Sequence, residues 1–183
     1  MAPATPTDAE IIQQVLDGDV EAFGVLVDRY QEEFAAYAKY MTGSEDEAAD
    51  VVQESLVRAF RSLRRCRERA SFKSWLFRIV SNQCKTYLQR RRRRTEVLAG
   101  TEQDAAAPDD STAEVEAEEL RHQVHQALQD LPADQREALV LRYVEGLGVQ
   151  EIAVVVGAGV SAVKMRLLRA REALRDRFEG VAL

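Results

Sequence analysis

Fourteen lysine and arginine side chains lie between Arg58 and Arg94 against one acid, Glu68. That stretch carries +13, whereas the remaining 11 bases and 30 acids leave the rest of the chain at −19, so the formal net charge of −6 hides a strong local field. A polyanion responds to the local field rather than to the mean. Four rings, Phe72, Trp75, Phe77 and Tyr87, are interleaved with Lys73, Arg78, Lys85 and the run Arg90, Arg91, Arg92, Arg93, Arg94. Bases of a single strand stack on such rings while cations follow its backbone. Burial in a core is the competing use of the rings, and it suits Trp75 more readily than Phe77.

A second stretch, Glu145 to Leu174, reads as helix, tight turn, helix. Ile152, Ala153 and Val156 fall on one face of a short helix, Gly157 and Gly159 interrupt it, and Val160, Val163 and Leu167 give the next helix its apolar stripe. That second helix carries Lys164, Arg166, Arg169 and Arg171 before its first acid, Glu172. A helix-turn-helix that lays its second helix against duplex DNA has this pattern, and so does an αα-hairpin with a solvated basic face. Little else offers chemistry. His122 and His125 lack a third ligand, and Cys66 and Cys84 have no CxxC context, so neither a metal site nor a disulfide framework is expected, and the cysteines read as buried thiols.

The elements that must position these side chains follow from apolar spacing. Asp8 to Leu16 is predicted as a short helix with Ile11, Ile12 and Val15 inward, and Asp19 is placed to cap the next. That helix runs to about Met41 with Ala22, Phe23, Leu26, Val27, Tyr30, Phe34, Tyr37 and Met41 buried. Ser44 with Glu47 predicts a capping box for a third helix reaching about Arg65. Its start is acidic and its end basic, as the helix dipole favours. Val51, Val52, Leu56, Ala59, Phe60 and Leu63 turn inward and leave Asp50, Gln53 and Glu54 outward. Ser71 is expected to cap a fourth helix with Phe72, Trp75, Leu76, Ile79, Val80, Cys84, Tyr87 and Leu88 inside. From Thr95 to Glu119 there are nine acids and no base, the composition of a flexible tether. Helical pattern then resumes, and Pro132 is expected to start the helix before the helix-turn-helix. No segment alternates like a strand, so the fold class is all-α: a helical domain over residues 1–94, an acidic linker over 95–119 and a helix-turn-helix domain over 120–183. No run of 18 apolar residues is present, and the N-terminus lacks the basic start and apolar core of a signal peptide; a cytoplasmic location is expected, with no membrane insertion.

Leu131-Pro132 to Arg136, Leu141-Arg142-Tyr143, Glu145-Gly146-Leu147, Glu151-Ile152-Ala153, Gly157, Val163-Lys164, Arg166-Leu167 and Arg169-Ala170-Arg171 closely resemble the C-terminal domain of bacterial extracytoplasmic-function sigma factors. Asp50, Gln53-Glu54, Arg58, Phe60, Phe72, Trp75, Arg78 and Asn82 resemble helices of the same family's N-terminal domain, in the right order. The resemblance implies that Asp50, Gln53 and Glu54 meet the clamp helices of the RNA polymerase largest subunit, with the flap of the second-largest subunit as a further contact. It implies that Asn82 and the connector Leu63 to Ala70, with Arg64, Arg65 and Arg67, capture an unstacked base of the minus-ten element, near Lys73 and Trp75. Arg78, Lys85, Arg90, Arg91 and Arg92 would hold phosphates. Ser161, Lys164, Arg166, Arg169 and Arg171 would meet the minus-thirty-five duplex. Partners implied are core polymerase, promoter DNA and an anti-sigma factor; no cofactor or catalytic group is implied, because the polymerase performs the chemistry. Gly159 and Ala162 stand where members of the family have hydroxyl residues and Ala158 where they have a larger aliphatic, and these departures predict a weaker duplex contact. Two other readings fit a helical chain: a helix-turn-helix regulator acting without polymerase, which calls for a receiver or ligand domain not visible here, and a protein-binding adaptor, which leaves the arginine run without a role.

Overall fold

The computed structural model describes residues 5–67, 69–97 and 112–178, and no strand occurs among them. The helices are α1 (Asp8–Leu16), α2 (Phe23–Thr42), α3 (Glu45–Ser62), α4 (Phe72–Val97), α5 (Thr112–Asp130), α6 (Ala133–Leu139), α7 (Val149–Val156) and α8 (Val160–Phe178). Most of the expected linker lies outside the described residues. Its two ends are helical, through Val97 in α4 and from Thr112 in α5.

Local chemistry explains most boundaries. Thr7 and Glu10 cap α1 reciprocally, with Thr7 Oγ1 accepting from the Glu10 amide at 3.3 Å and the Thr7 amide donating to Glu10 Oε2 at 2.7 Å. Asp19 accepts from the Ala22 amide and starts the 3₁₀ turn, Val20–Ala22, that leads into α2. Gly43 ends α2 at φ +85°, a left-handed geometry that only glycine adopts without strain. One expectation fails here: Ser44 takes the N-cap position of α3 but makes no side-chain cap bond, and Glu47 turns instead toward Arg91, 3.5 Å away.

The first module, α1 to α4, is organised on rings. Phe34 and Phe77 meet edge to face at 4.6 Å, Tyr37 meets Phe77 at 5.6 Å, and all three are fully buried. The expectation for the rings of α4 is thereby reversed: Phe77 is in the core and Trp75 is only half-buried. The reason is that α4 packs against α2, α3 and α7, so its buried face is wider than one stripe, and Phe77 turns onto Phe34 and Tyr37 of α2. Phe72, Leu76, Phe77, Val80, Ser81 and Cys84 all lie inside it.

In the second module, α6 is continued by a π-helical turn, Val140–Val144, in which the Glu145 amide reaches back to the Val140 carbonyl at 3.1 Å. Gly157, at φ +65°, closes α7, and α8 follows after Ala158 and Gly159. Ile152, Ala153 and Val155 are the buried residues of α7, so the inward position is Val155, with Val156 half-buried. Val163, Leu167 and Ala170 form the stripe of α8, whereas Val160 is exposed.

Candidate nucleic-acid interface

α4 carries the basic residues of the first module. Arg78, Asn82, Arg90 and Arg92 are exposed along it, and Arg64, Arg65 and Arg67 are exposed in the 3₁₀ turn Leu63–Arg65 and the connector after it. Trp75 sits beside Phe72 with centroids 5.7 Å apart. The other predicted cations are drawn to acids: Lys73 Nζ lies 2.5 Å from Glu33 Oε1 and 5.9 Å from the Phe77 ring centroid, and Lys85 Nζ lies 2.9 Å from Glu137 Oε2. Arg91 donates to the Thr42 carbonyl at 3.1 Å. In the second module, Ser161, Lys164, Arg169 and Arg171 are exposed on α8. Arg166 is half-buried and paired with Asp134 of α6 at 3.1 Å, and Arg171 Nε donates to the Leu167 carbonyl at 3.3 Å. The predicted DNA residues thus fall on two elements, α4 with its preceding connector and α8, and among them Lys73, Lys85, Arg91 and Arg166 are engaged with acids.

Asp50, Gln53 and Glu54 are exposed on α3, as expected. Glu54 accepts from Arg58 Nη2 at 2.6 Å, and this bond, with a second from Gln83, holds its carboxyl below the usual range. Gln53 lies between two shallow apolar depressions, one lined by Ala35, Ala49 and Val52 and the other by Phe23, Val57 and Phe60. Among the described residues no group of three or more His, Cys, Asp or Glu could hold a metal ion. Cys66 and Cys84 are buried, and burial pushes both thiols up. His125 is half-buried beside Tyr40, 6.2 Å between rings.

The sequence reading missed the junction between the modules. The last four carbonyls of an α-helix have no partner within it. For α2 all four find one: the Gly43 amide takes Lys39 O at 2.9 Å and Arg91 takes Thr42 O, while Gln129 Nε2 takes Tyr40 O at 2.8 Å and Arg136 Nη1 takes Met41 O at 2.6 Å. Gln129 and Arg136 belong to the second module and hydrogen-bond to each other. Next to Arg136, the fully buried Glu137 accepts from Ser81 Oγ and from Tyr37 Oη, the latter at 3.3 Å. Its other oxygen faces Lys85 as an ion pair whose angle is poor for a hydrogen bond. Burial first, then the Glu137 charge, pushes the Tyr37 hydroxyl far up and the Cys84 thiol up to about 12. A third contact joins Glu145, at the end of the π-helical turn, to Glu33; burial and the hydrogen bond between the two carboxyls push Glu145 up to about 8, opposed by Lys73. Arg136 and Glu137 resembled ordinary surface charges of an amphipathic helix, and no sequence signal marks them as buried.

Family models for Sigma-70 region 2 and Sigma-70 region 4 match residues 26–94 and 121–174. The chain is 36% identical over 176 residues to the RNA polymerase sigma-H factor of Pseudomonas aeruginosa, covering 91% of each. It is 36% identical over 182 residues to the ECF RNA polymerase sigma-E factor of Escherichia coli, covering 94% of this chain and 95% of that one. Among solved structures, CnrH in complex with the cytosolic domain of CnrY superposes with a TM-score of 0.71 at 27% identity, covering 96% of this chain and 99% of that chain. Bartonella quintana RpoE bound to the anti-sigma factor NepR has the same TM-score at 24% identity, covering 88% of this chain and 99% of that chain, and shares the fold. Matched in both of its modules and along almost its whole length, the chain belongs to the extracytoplasmic-function sigma factors, which direct RNA polymerase to its promoters.

Proposed function

We propose that this sigma factor divides promoter reading between its modules. The first captures the minus-ten strand on Arg64, Arg65, Arg67, Lys73, Trp75, Arg78, Asn82, Lys85, Arg90, Arg91 and Arg92. The second holds the minus-thirty-five duplex with Ser161, Lys164, Arg166, Arg169 and Arg171. Asp50, Gln53 and Glu54 dock on the clamp helices of core polymerase, the flap of the second-largest subunit engages the second module, and the work takes place in the cytoplasm. The observation that carries this reading is the placement of exposed cations on α4 with its connector and on α8, while α3 presents Asp50, Gln53 and Glu54 beside two apolar depressions. That face suits a protein partner, and the two basic surfaces suit DNA. The presence of CnrY on the similar CnrH chain supports an anti-sigma protein as a further partner. An apolar groove of about 340 Å³ lined by Tyr40, Val124, Leu128, Val140, Tyr143 and Leu174 has the character of a seat for one of its helices. Run-off transcription with core polymerase and a promoter library tests the reading. Promoter-dependent initiation that is lost in an Asp50→Ala, Gln53→Ala, Glu54→Ala triple variant is the expected result, and no initiation from any promoter would overturn it.

A further inference from the structure

Glu137 is carried by α6 of the second module, yet all of its described polar partners, Tyr37, Ser81 and Lys85, belong to the first. A fully buried carboxylate of this kind is held only while those donors surround it. Around it, the second module also supplies two of the caps of α2, and α7, the first helix of the helix-turn-helix, lies along α4. Lys85 is one of the α4 cations assigned above to the promoter strand, and a DNA phosphate asks for the same donors as a carboxylate: an ammonium and hydroxyls.

We propose that Glu137 is the latch of a self-closed state: seated among Tyr37, Ser81 and Lys85, it holds the second module across α4, so that promoter strand and Glu137 compete for Lys85 and the surface beside it. The inference rests on the reading of α4 as the strand-binding surface. In the closed chain, apparent strand affinity falls by the fraction of molecules that are open at any moment. The polymerase-docking residues Asp50, Gln53 and Glu54 of α3 are not among the described partners of Glu137, so polymerase can bind while the modules part. Because Glu137 has no described polar partner within its own module, its replacement acts on closure rather than on the fold of that module.

The test uses the full chain and two variants. Glu137→Lys places like charges together at Lys85. Ser81→Val removes a donor to Glu137 without changing charge, so a gain in its affinity cannot come from an added cation. Small-angle scattering reads compactness, circular dichroism reads helix content, and fluorescence anisotropy reads binding of a minus-ten single-stranded oligonucleotide without polymerase. Both variants are expected to keep parental helix content, to expand, and to bind the strand about tenfold more tightly, while run-off transcription with core polymerase persists. If both stay as compact as the parent with unchanged strand binding while the parent still initiates at promoters, the latch is refuted and the sigma-factor reading stands. If neither parent nor variants bind the strand or support initiation, the strand-binding reading falls first and the latch with it.

Discussion

Replacing Gly43 by alanine probes the junction from the backbone side, and its cost can be worked out in two parts. The residue sits at φ +85°, where a Cβ costs about 1–2 kcal/mol for an L-residue. The new Cβ would also lie 3.0 Å from Cδ and Oε1 of Gln129, so the end of that side chain must give by a few tenths of an ångström. The contacts this shift strains are its 2.8 Å bond to the Tyr40 carbonyl and its bond to Arg136. Each such bond contributes a net of about 0.5–1.5 kcal/mol. Gly43→Ala should therefore destabilise the chain by about 1–2 kcal/mol through the backbone alone and by up to about 5 kcal/mol with both bonds lost. In a Gln129→Ala background only the backbone part remains, so a double-mutant cycle should return a coupling of up to about 3 kcal/mol. Urea unfolding of the four proteins, followed by circular dichroism, measures it. Additive effects, within about 0.5 kcal/mol, would mean that Gln129 does not cover Gly43 in solution and would refute the cross-module cap.

Two further outcomes follow from the same geometry. Glu145 is raised to about 8 in the closed chain from the usual carboxylate value of 4.5, so closure takes up a proton, and it weakens as pH rises through that window. Glu33 on α2 and Lys73 on α4 are the charged groups facing it, and His125, lowered by burial, opposes closure only on the acid side of its ordinary 6.5. Scattering between about pH 6.5 and about pH 9 should show expansion with rising pH, and Glu145→Gln should abolish the trend; a trend that persists in Glu145→Gln assigns it elsewhere. On duplex DNA carrying a minus-thirty-five element, Lys164→Ala should lower the slope of log affinity against log salt by about 0.9. Arg166→Ala should lower it less, since Asp134 already faces Arg166 at 3.1 Å. Slopes unchanged in both would remove α8 from the DNA contact.

Helix identity and the two basic surfaces were legible in the sequence because they rest on local signals: spacing of three and four, a glycine at a helix end, charge clustering. Asp19 acts where its type and position said it would. What was not legible depends on contacts between residues far apart in the chain. Phe77 falls outside the one apolar stripe read for α4, and its edge-to-face contacts with Phe34 and Tyr37 of α2 make its position core. The same long-range packing makes Val155 inward on α7. Glu47 fits a capping box by spacing, but in the fold it lies beside Arg91, 44 residues away, and Tyr87, and Ser44 makes no side-chain cap bond. Arg136 and Glu137 are two charges in an otherwise ordinary helix start, and their burial is decided by Met41 and Ser81, 95 and 56 residues distant.

The shared end of α2 also bears on how the chain comes into being. Met41 and Arg136 are 95 residues apart, and at the usual 5–20 residues per second of synthesis the first leaves the ribosome roughly 5–20 s ahead of the second. During that interval the nascent first module has two of its four terminal α2 carbonyls capped only by water, and the niche around Tyr37, Ser81 and Lys85 lies open. The newborn N-terminal half is thus born unlocked, and the protein acquires its resting state only when its last third has been made.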